Sequence, residues 1–95
     1  MVGHAAICGA IAKKQTIHFV YRCRRRTVEP HLVGYDSDGD LTSSAWQLSG
    51  GSSGGWRDFH IAKPSELSIS GKTFEHARKD YNPGDETVDI VLCRL

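Results

Sequence analysis

An alternation of apolar and polar residues between Thr16 and Arg24 constrains the fold of this chain more than any other feature. Residues at every second position would share one face of an extended strand, namely Ile17, Phe19, Tyr21 and Cys23. A period of two is typical of a strand that buries one of its faces. The segment therefore predicts a half-buried β-strand.

Several further segments have the composition of short strands. Pro30 lies inside the first of them and cannot donate a ladder hydrogen bond, so it predicts a sheet edge or a bulge. The Asp-Ser-Asp-Gly run at 36–39 predicts a hairpin turn, because Asp-Gly pairs tolerate the positive φ of tight turns. The predicted strands are Thr27–Tyr35, Leu41–Leu48, Trp56–Ala62, Leu67–Ile69 and Thr87–Cys93.

Other connections have weaker signals. The Gly- and Ser-only run at 49–55 predicts a flexible loop, and Asn82–Asp85 predicts a turn. The segment Thr73–Asp80 predicts one or two turns of helix.

A single helix is predicted over His4–Lys14, where Ile7, Ala10 and Ile11 recur at helical spacing and two lysines suit the negative end of the helix dipole. A helix-turn-helix DNA reader needs two more helices, which the sequence does not suggest. One helix followed by five or six short strands, without internal repeats, predicts a mainly β protein that closes into a small barrel.

The 95 residues are enough for one domain with a modest core. The chain has no apolar run near the roughly 20 residues that cross a bilayer, and its first residues lack the basic region of a signal peptide. Three cysteines at wide spacings, Cys8, Cys23 and Cys93, are therefore expected to be free thiols in a reducing cytoplasm.

The net charge of +1 conceals an asymmetry along the chain. Residues 1–34 carry six basic residues and one acidic residue, which gives +5, whereas 35–95 carry six basic and ten acidic residues, which gives −4. A protein that coats long nucleic acid usually has a high pI, but the pI here is about 7.8. Any contact with an anion is therefore expected to be local.

Several fragments, in order, resemble the WYL domain family: Tyr21, then Arg26-x-Val28-Glu29-Pro30-His31, the hairpin at Gly39, Ala45-Trp46, and Trp56-Arg57-x-Phe59. The resemblance covers roughly residues 3 to 74. It implies a small five-stranded Sm-like (SH3-like) barrel preceded by a helix. The expected layout is a single domain over 1–95, with the helix at about 3–14, the barrel at about 16–72 and a short C-terminal extension at 73–95.

The resemblance also implies a function. WYL-like domains act as ligand-sensing modules, typically in bacterial transcription regulation, with nucleotides or nucleic-acid fragments as suspected ligands. The expectation for this chain is a cytoplasmic, non-enzymatic module that binds a nucleotide or a short single-stranded nucleic acid. A regulator protein acting in trans is an expected partner, and no membrane partner is expected.

Two arginines are the main candidates for ligand binding. Arg26 precedes Val-Glu-Pro at the family position, and the resemblance places Arg57 in the ligand groove. Arginine suits phosphate because its planar guanidinium donates two parallel, charge-assisted hydrogen bonds. The alternatives are an ion pair of Arg26 with Glu29 or Asp58 and a solvated strand position for Arg57. Arg24 and Arg25 are expected at a solvated hairpin tip.

Three further residues are candidates for the same groove. Tyr21 and Trp46 could stack on a base, although core or rim positions are the alternative. His31 could donate to phosphate, with a buried, hydrogen-bonded histidine as the alternative. Glu29 and Pro30 are interpreted as structural, with a bulge that fixes Arg26 and a carboxylate that orients it.

No catalytic site, metal site or cofactor is predicted. The Asp-Ser-Asp-Gly-Asp run departs from a calcium loop, and Ser70–Thr73 lacks the upstream glycine of a phosphate-binding loop. The alternative function is a protein-interaction or self-assembly module, because the last predicted strand is apolar and could pair with a second copy of the chain.

Overall fold

One helix is followed by six antiparallel strands. The computed structural model describes residues 4–49, 55–60, 65–81 and 88–95. The elements are α1 His4–Ala12, β1 Gln15–Tyr21, β2 Arg24–Asp36, β3 Leu41–Ser49, β4 Gly55–His60, β5 Ser65–Thr73 and β6 Val88–Arg94. The predicted mainly β fold with one N-terminal helix is confirmed.

Helix α1 covers one face of the sheet. Its buried residues are Ile7, Ala10 and Ile11, as the helical spacing predicts. The helix ends two residues earlier than predicted because Lys14 adopts a left-handed φ of 52°, and its amide donates to the carbonyl of Ile11. The core beneath the helix is formed by Ile17, Phe19, Tyr21, Val28, Val33, Ala45 and Phe59. The predicted inward face of β1 is therefore confirmed for its first three apolar residues.

Strand β2 is the centre of the sheet. The strand order is β4-β3-β2-β1-β5, and β6 pairs with the later part of β2. The first residues of β2 pair with β1, in a register that sets Phe19 opposite Arg26, and residues 32–36 pair with β6 along the same edge. All pairings are antiparallel. Within the described ranges β4 and β5 do not pair, so the sheet is open and a closed five-stranded barrel is not shown.

The predicted irregularity at Pro30 is a bulge. Pro30 pairs with Ala45 and Leu32 pairs with Ser44, so His31 is an extra residue on β2. The predicted hairpin turn is also confirmed, because Gly39 has a φ of 81° and its amide donates to the carbonyl of Asp36 over 3.0 Å.

Three expectations about local structure differ from the fold. The Arg22–Cys23 pair forms the turn after β1, so Arg24 and Arg25 lie within β2 rather than at the tip. The predicted helical turns at Thr73–Asp80 are wrong, because Thr73 ends β5 and residues 74–80 follow an irregular path. The predicted turn at 82–85 and most of the predicted glycine-rich loop, at 50–54, lie outside the described residues.

The expected free thiols are corrected for two cysteines. Cys8 of α1 and Cys93 of β6 form a disulfide across 85 residues of sequence, while Cys23 is free and exposed. The expectation failed because it rested on spacing and compartment, and neither shows that the helix and the last strand meet. Among the described residues, no helix is long and apolar enough to cross a bilayer.

Candidate functional site: an arginine cleft at the end of the sheet

A cleft of about 300 Å³ opens where β1, β2 and β4 meet. We call it the arginine cleft, and its lining residues are Tyr21, Arg22, Arg26, Arg57, Asp58, Phe59 and His60. A volume of this size is at the lower end of the range typical of small-molecule sites. Three of the five candidate residues from the sequence, namely Tyr21, Arg26 and Arg57, therefore line one cavity.

The Arg26 side chain forms the inner wall of the arginine cleft. It is 9% exposed, its Nε donates to the Tyr21 carbonyl over 3.3 Å, and its Nη1 donates to Gln47 Oε1 over 2.9 Å. The guanidinium also lies over the rings of Tyr21 and Phe59, at 5.4 and 5.7 Å from their centroids. These neutral partners hold a cation in place without neutralising it.

The charge of Arg26 is only partly compensated. Burial, followed by the nearby positive charges of Arg57 and Arg24, lowers the pKa of the Arg26 guanidinium below its ordinary value. Between two described residues the ion pairs are Glu29–Arg78 and Glu75–His76, and neither involves Arg26 or Arg57. The alternative in which Glu29 pairs with Arg26 is therefore not what the structure shows.

Arg57 approaches the cleft from a different strand. It lies on β4 opposite Ala45 of β3, and it shares a strand face with Phe59, whose ring packs into the core. Arg57 is half-buried. Its guanidinium is close enough to Arg26 to act on that residue's pKa, so two positive charges from separate parts of the chain converge here.

Tyr21 is a wall of the cleft rather than an open stacking surface. Its side chain is 6% exposed, and its ring meets Phe59 edge to face at 5.2 Å. The guanidinium of Arg22 lies 5.6 Å from the centroid of the Tyr21 ring, in addition to that of Arg26. Access of a base to this ring would require the exposed Arg22 to move.

His31 and Trp46 are not part of the arginine cleft. They belong to a second group of rings, the aromatic cluster, formed by His31, Trp46, Trp56, Phe74 and Tyr81. His31 has no exposed surface and stacks on Phe74 at 5.4 Å. The structure thus places His31 as the buried, hydrogen-bonded histidine of the alternative interpretation.

The hydrogen bonds of His31 define its protonation. Its Nε2 accepts the backbone amide of Arg78 over 3.0 Å, so the proton of a neutral ring is on Nδ1, which donates to the Glu29 carbonyl over 2.8 Å. Burial lowers the pKa of this imidazole, because a protonated ring would be desolvated and Nε2 could no longer accept. His31 is therefore neutral at neutral pH.

The carboxylate of Glu29 orients a different arginine from the one expected. It accepts from Arg78 Nε at 2.6 Å and from Arg78 Nη2 at 2.9 Å, in a two-pronged ion pair. That hydrogen bonding raises the pKa of Arg78, whose guanidinium also lies 5.3 Å from the Trp46 ring centroid. The irregular segment 74–81 is thereby fastened to β2 and β3.

Sequence reasoning missed two residues of these sites. Gln47, which holds Arg26, carried a usable signal, since it is a polar residue on the strand face that Ala45 buries. Arg78 carried none, because it lies in a segment without periodicity and meets Glu29 across 49 residues of sequence.

Among the described residues, one group of side chains has ligand atoms close enough together to hold a cation. Ligand atoms of Asp36, Asp40 and His60 lie within 4.8 Å of one another at the β2–β3 hairpin. However, Asp36 Oδ1 already accepts the amides of Asp38 and Asp40, at 3.0 and 2.9 Å, and the bond from the Asp40 amide is the main reason that the pKa of Asp36 is lowered. The hairpin explains this group, and we assign no metal to it.

Comparison of the chain with models of protein families, with curated proteins and with solved structures found no match.

Proposed function

We propose that this protein is a non-enzymatic ligand-sensing module of the WYL type, which binds a nucleotide or a short single-stranded nucleic acid in the arginine cleft. The observation that carries the proposal is the convergence of Arg26 and Arg57 on one cavity, without a carboxylate partner among the described residues. A phosphate group would supply the missing negative charge and accept the paired donors of a guanidinium.

The strand order supports the finer fold within this proposal. In the order β4-β3-β2-β1-β5, an Sm-like barrel would close by pairing β4 with β5, the two ends of the series. In the proposed mechanism, ligand occupancy changes how the module contacts a regulator protein in the bacterial cytoplasm, without chemistry on the ligand.

Binding of a fluorescein-labelled ten-nucleotide oligothymidylate, followed by anisotropy, tests the proposal, and calorimetry with ATP extends the test to a mononucleotide. We expect Arg57→Ala to raise the Kd about tenfold or more, since a charge-assisted hydrogen bond contributes about 1.5–3 kcal/mol. Arg26→Lys should have a similar effect, because lysine keeps the charge but loses the planar set of donors. The difference in Kd between each variant and the wild type should become smaller at high salt, because salt screens phosphate contacts.

The matched control is Arg25→Ala. Arg25 is exposed on β2 beside Arg26 and does not line the arginine cleft. Arg25→Ala therefore removes one positive charge, as Arg57→Ala does, but outside the site. We expect it to change the Kd by less than about twofold. Equal binding by wild type, Arg57→Ala and Arg26→Lys would contradict the site.

A second candidate function, self-assembly, is favoured by the surface of β6. Ile90, Val91 and Leu92 are consecutive apolar residues with exposed side chains, and Ile90 is 59% exposed. In the described part of the chain β6 pairs only with β2, so its other edge offers backbone groups for a further strand. In this candidate function the partner is a second copy of the chain, and no nucleic acid is required.

A further inference from the structure

The disulfide joins two elements that are held very differently. Helix α1 is fastened by its own packing, since Ile7, Ala10 and Ile11 are each at most 3% exposed in the core. These contacts are separate from the Cys8–Cys93 bond. The helix therefore has buried packing of its own in addition to the disulfide.

Strand β6 buries fewer side chains than the helix does. Of its side chains only Val88 is buried, Cys93 is half-buried, and the four residues at 89–92 are exposed. Its ladder with β2 is interrupted twice, so that Asp89 and Leu92 have no partner in the register. Beyond the strand, the amide of Leu95 donates to the His31 carbonyl over 2.9 Å, and the Leu95 side chain packs partly against the core.

We propose that the Cys8–Cys93 disulfide is a thiol-sensitive latch, which fastens β6 to the firmly packed helix and releases β6 when it is reduced. Both cysteines are half-buried rather than enclosed, so a small dithiol can approach them. Thiolate attack first gives a mixed disulfide, and the second thiol of the reagent resolves it. Two electrons and two protons pass to the protein, which ends with two thiols, and the dithiol becomes a disulfide.

Release of β6 changes the surface of the sheet. Residues 32–36 of β2 pair with β6 along one edge and with β3 along the other. Without β6, the edge of β2 that pairs with β6 would present unpaired amides and carbonyls. The reduced protein thus has an open sheet edge that the oxidised protein covers. This inference does not depend on ligand binding in the arginine cleft.

Hydrogen–deuterium exchange of the full chain, before and after reduction with dithiothreitol, tests the latch. On reduction we expect the amides of β6 to exchange at least about tenfold faster, because a strand with few buried contacts opens locally. The amides of α1, β1 and β3 should keep their protection. A Cys8→Ser, Cys93→Ser double variant should match the reduced protein without any reagent.

The control is Cys23→Ser, which removes the free thiol and should respond to dithiothreitol as the wild type does. Three results would overturn the proposal: unchanged protection of β6 on reduction, loss of protection in α1, or loss of protection throughout the molecule. The last result would mean that the disulfide maintains the whole fold rather than one strand.

Discussion

His31 shows how a single residue can connect separate parts of this molecule. It lies in the β2 bulge, its ring contacts Trp56, Phe74 and Tyr81, and its two ring nitrogens bond to the backbone of Glu29 and Arg78. A ring with both nitrogens satisfied and no exposed surface is a structural element of the core. Because these bonds require the neutral ring, the stability of the protein should depend on pH through this residue.

The sign of this dependence follows from the lowered pKa of His31. The unfolded chain has a histidine near the ordinary value of 6.5 and binds a proton more readily than the folded protein. The stabilisation is therefore complete above about pH 6.5 and is lost as the pH falls toward the folded pKa. We expect His31→Gln to lower the free energy of unfolding by about 2–4 kcal/mol at pH 7.5, and this difference from wild type to be smaller at pH 5.5.

Urea denaturation of wild type and His31→Gln at both pH values measures the effect. The other titrating groups are common to the two proteins and cancel in the difference. If the difference in the free energy of unfolding between the two proteins is the same at pH 7.5 and pH 5.5, His31 does not titrate in this way.

The residues that the sequence predicts for one groove lie in two different places in the structure. The resemblance to the WYL family implies that Arg26 and Arg57 share one groove, and both line the arginine cleft. His31 and Trp46 are predicted for the same groove, yet they lie in the aromatic cluster. The bulge changes the face on which His31 lies, which a period of two cannot predict. Trp46 alternates with the buried Ala45 and Gln47 and so lies on the other face of β3.

At the scale of elements, β2 and β6 approach each other unusually closely at Gly34. A Cβ atom placed there would collide with the Ile90 carbonyl and with the side chain of Val88. The carbonyl belongs to the ladder itself, so it cannot move aside without breaking the pairing. Glycine is therefore required at this position for close approach.

We expect Gly34→Ala to destabilise the protein by about 1–3 kcal/mol, since the added methyl group overpacks the β2–β6 contact. The matched control is Gly9→Ala in α1, where a Cβ meets nothing within 4 Å. Replacing a helical glycine by alanine should stabilise by about 0.5–1 kcal/mol. Thermal or urea denaturation measures both variants, and a Gly34→Ala protein as stable as wild type would contradict the close approach.

Prediction works better for some elements than for others, because it depends on how regular the strand pairing is. In β1 the alternation holds, and Ile17, Phe19 and Tyr21 all face the core. In β6 a period of two would place Val88, Ile90 and Leu92 on one face. The ladder irregularities beside Asp89 and Leu92 break this alternation, and Val88 is buried while Ile90 is exposed. The segment 74–81 could not be predicted, because its contacts with Glu29 and His31 are distant in sequence.

At the scale of the whole molecule, the two candidate functions predict different sizes in solution. Ligand sensing through the arginine cleft needs only one chain, so light scattering should give a mass near 10.5 kDa at micromolar concentration in the absence of ligand. Self-assembly through β6 predicts twice that mass or more, and Ile90→Lys should then restore the monomer because a charge blocks edge pairing.

Leu48→Lys is the control for the sizing experiment. Leu48 is also an exposed apolar residue, but it lies on β3, which has β2 and β4 on its two sides. If the wild type is a monomer, the self-assembly function is contradicted. If the wild type is a dimer and Ile90→Lys is a dimer too, the interface does not involve β6.

The turn between β1 and β2 has a consequence for protein engineering. Arg22 and Cys23 have φ values of 52° and 63°, in the left-handed region that two-residue hairpins usually fill with Asn-Gly. A residue other than glycine costs roughly 1–2 kcal/mol in the left-handed region. A consensus redesign for thermostability would replace both, and would thereby strip a cation from the rim of the arginine cleft. A more stable hairpin and a complete set of cations at the arginine cleft therefore require different residues at the same position.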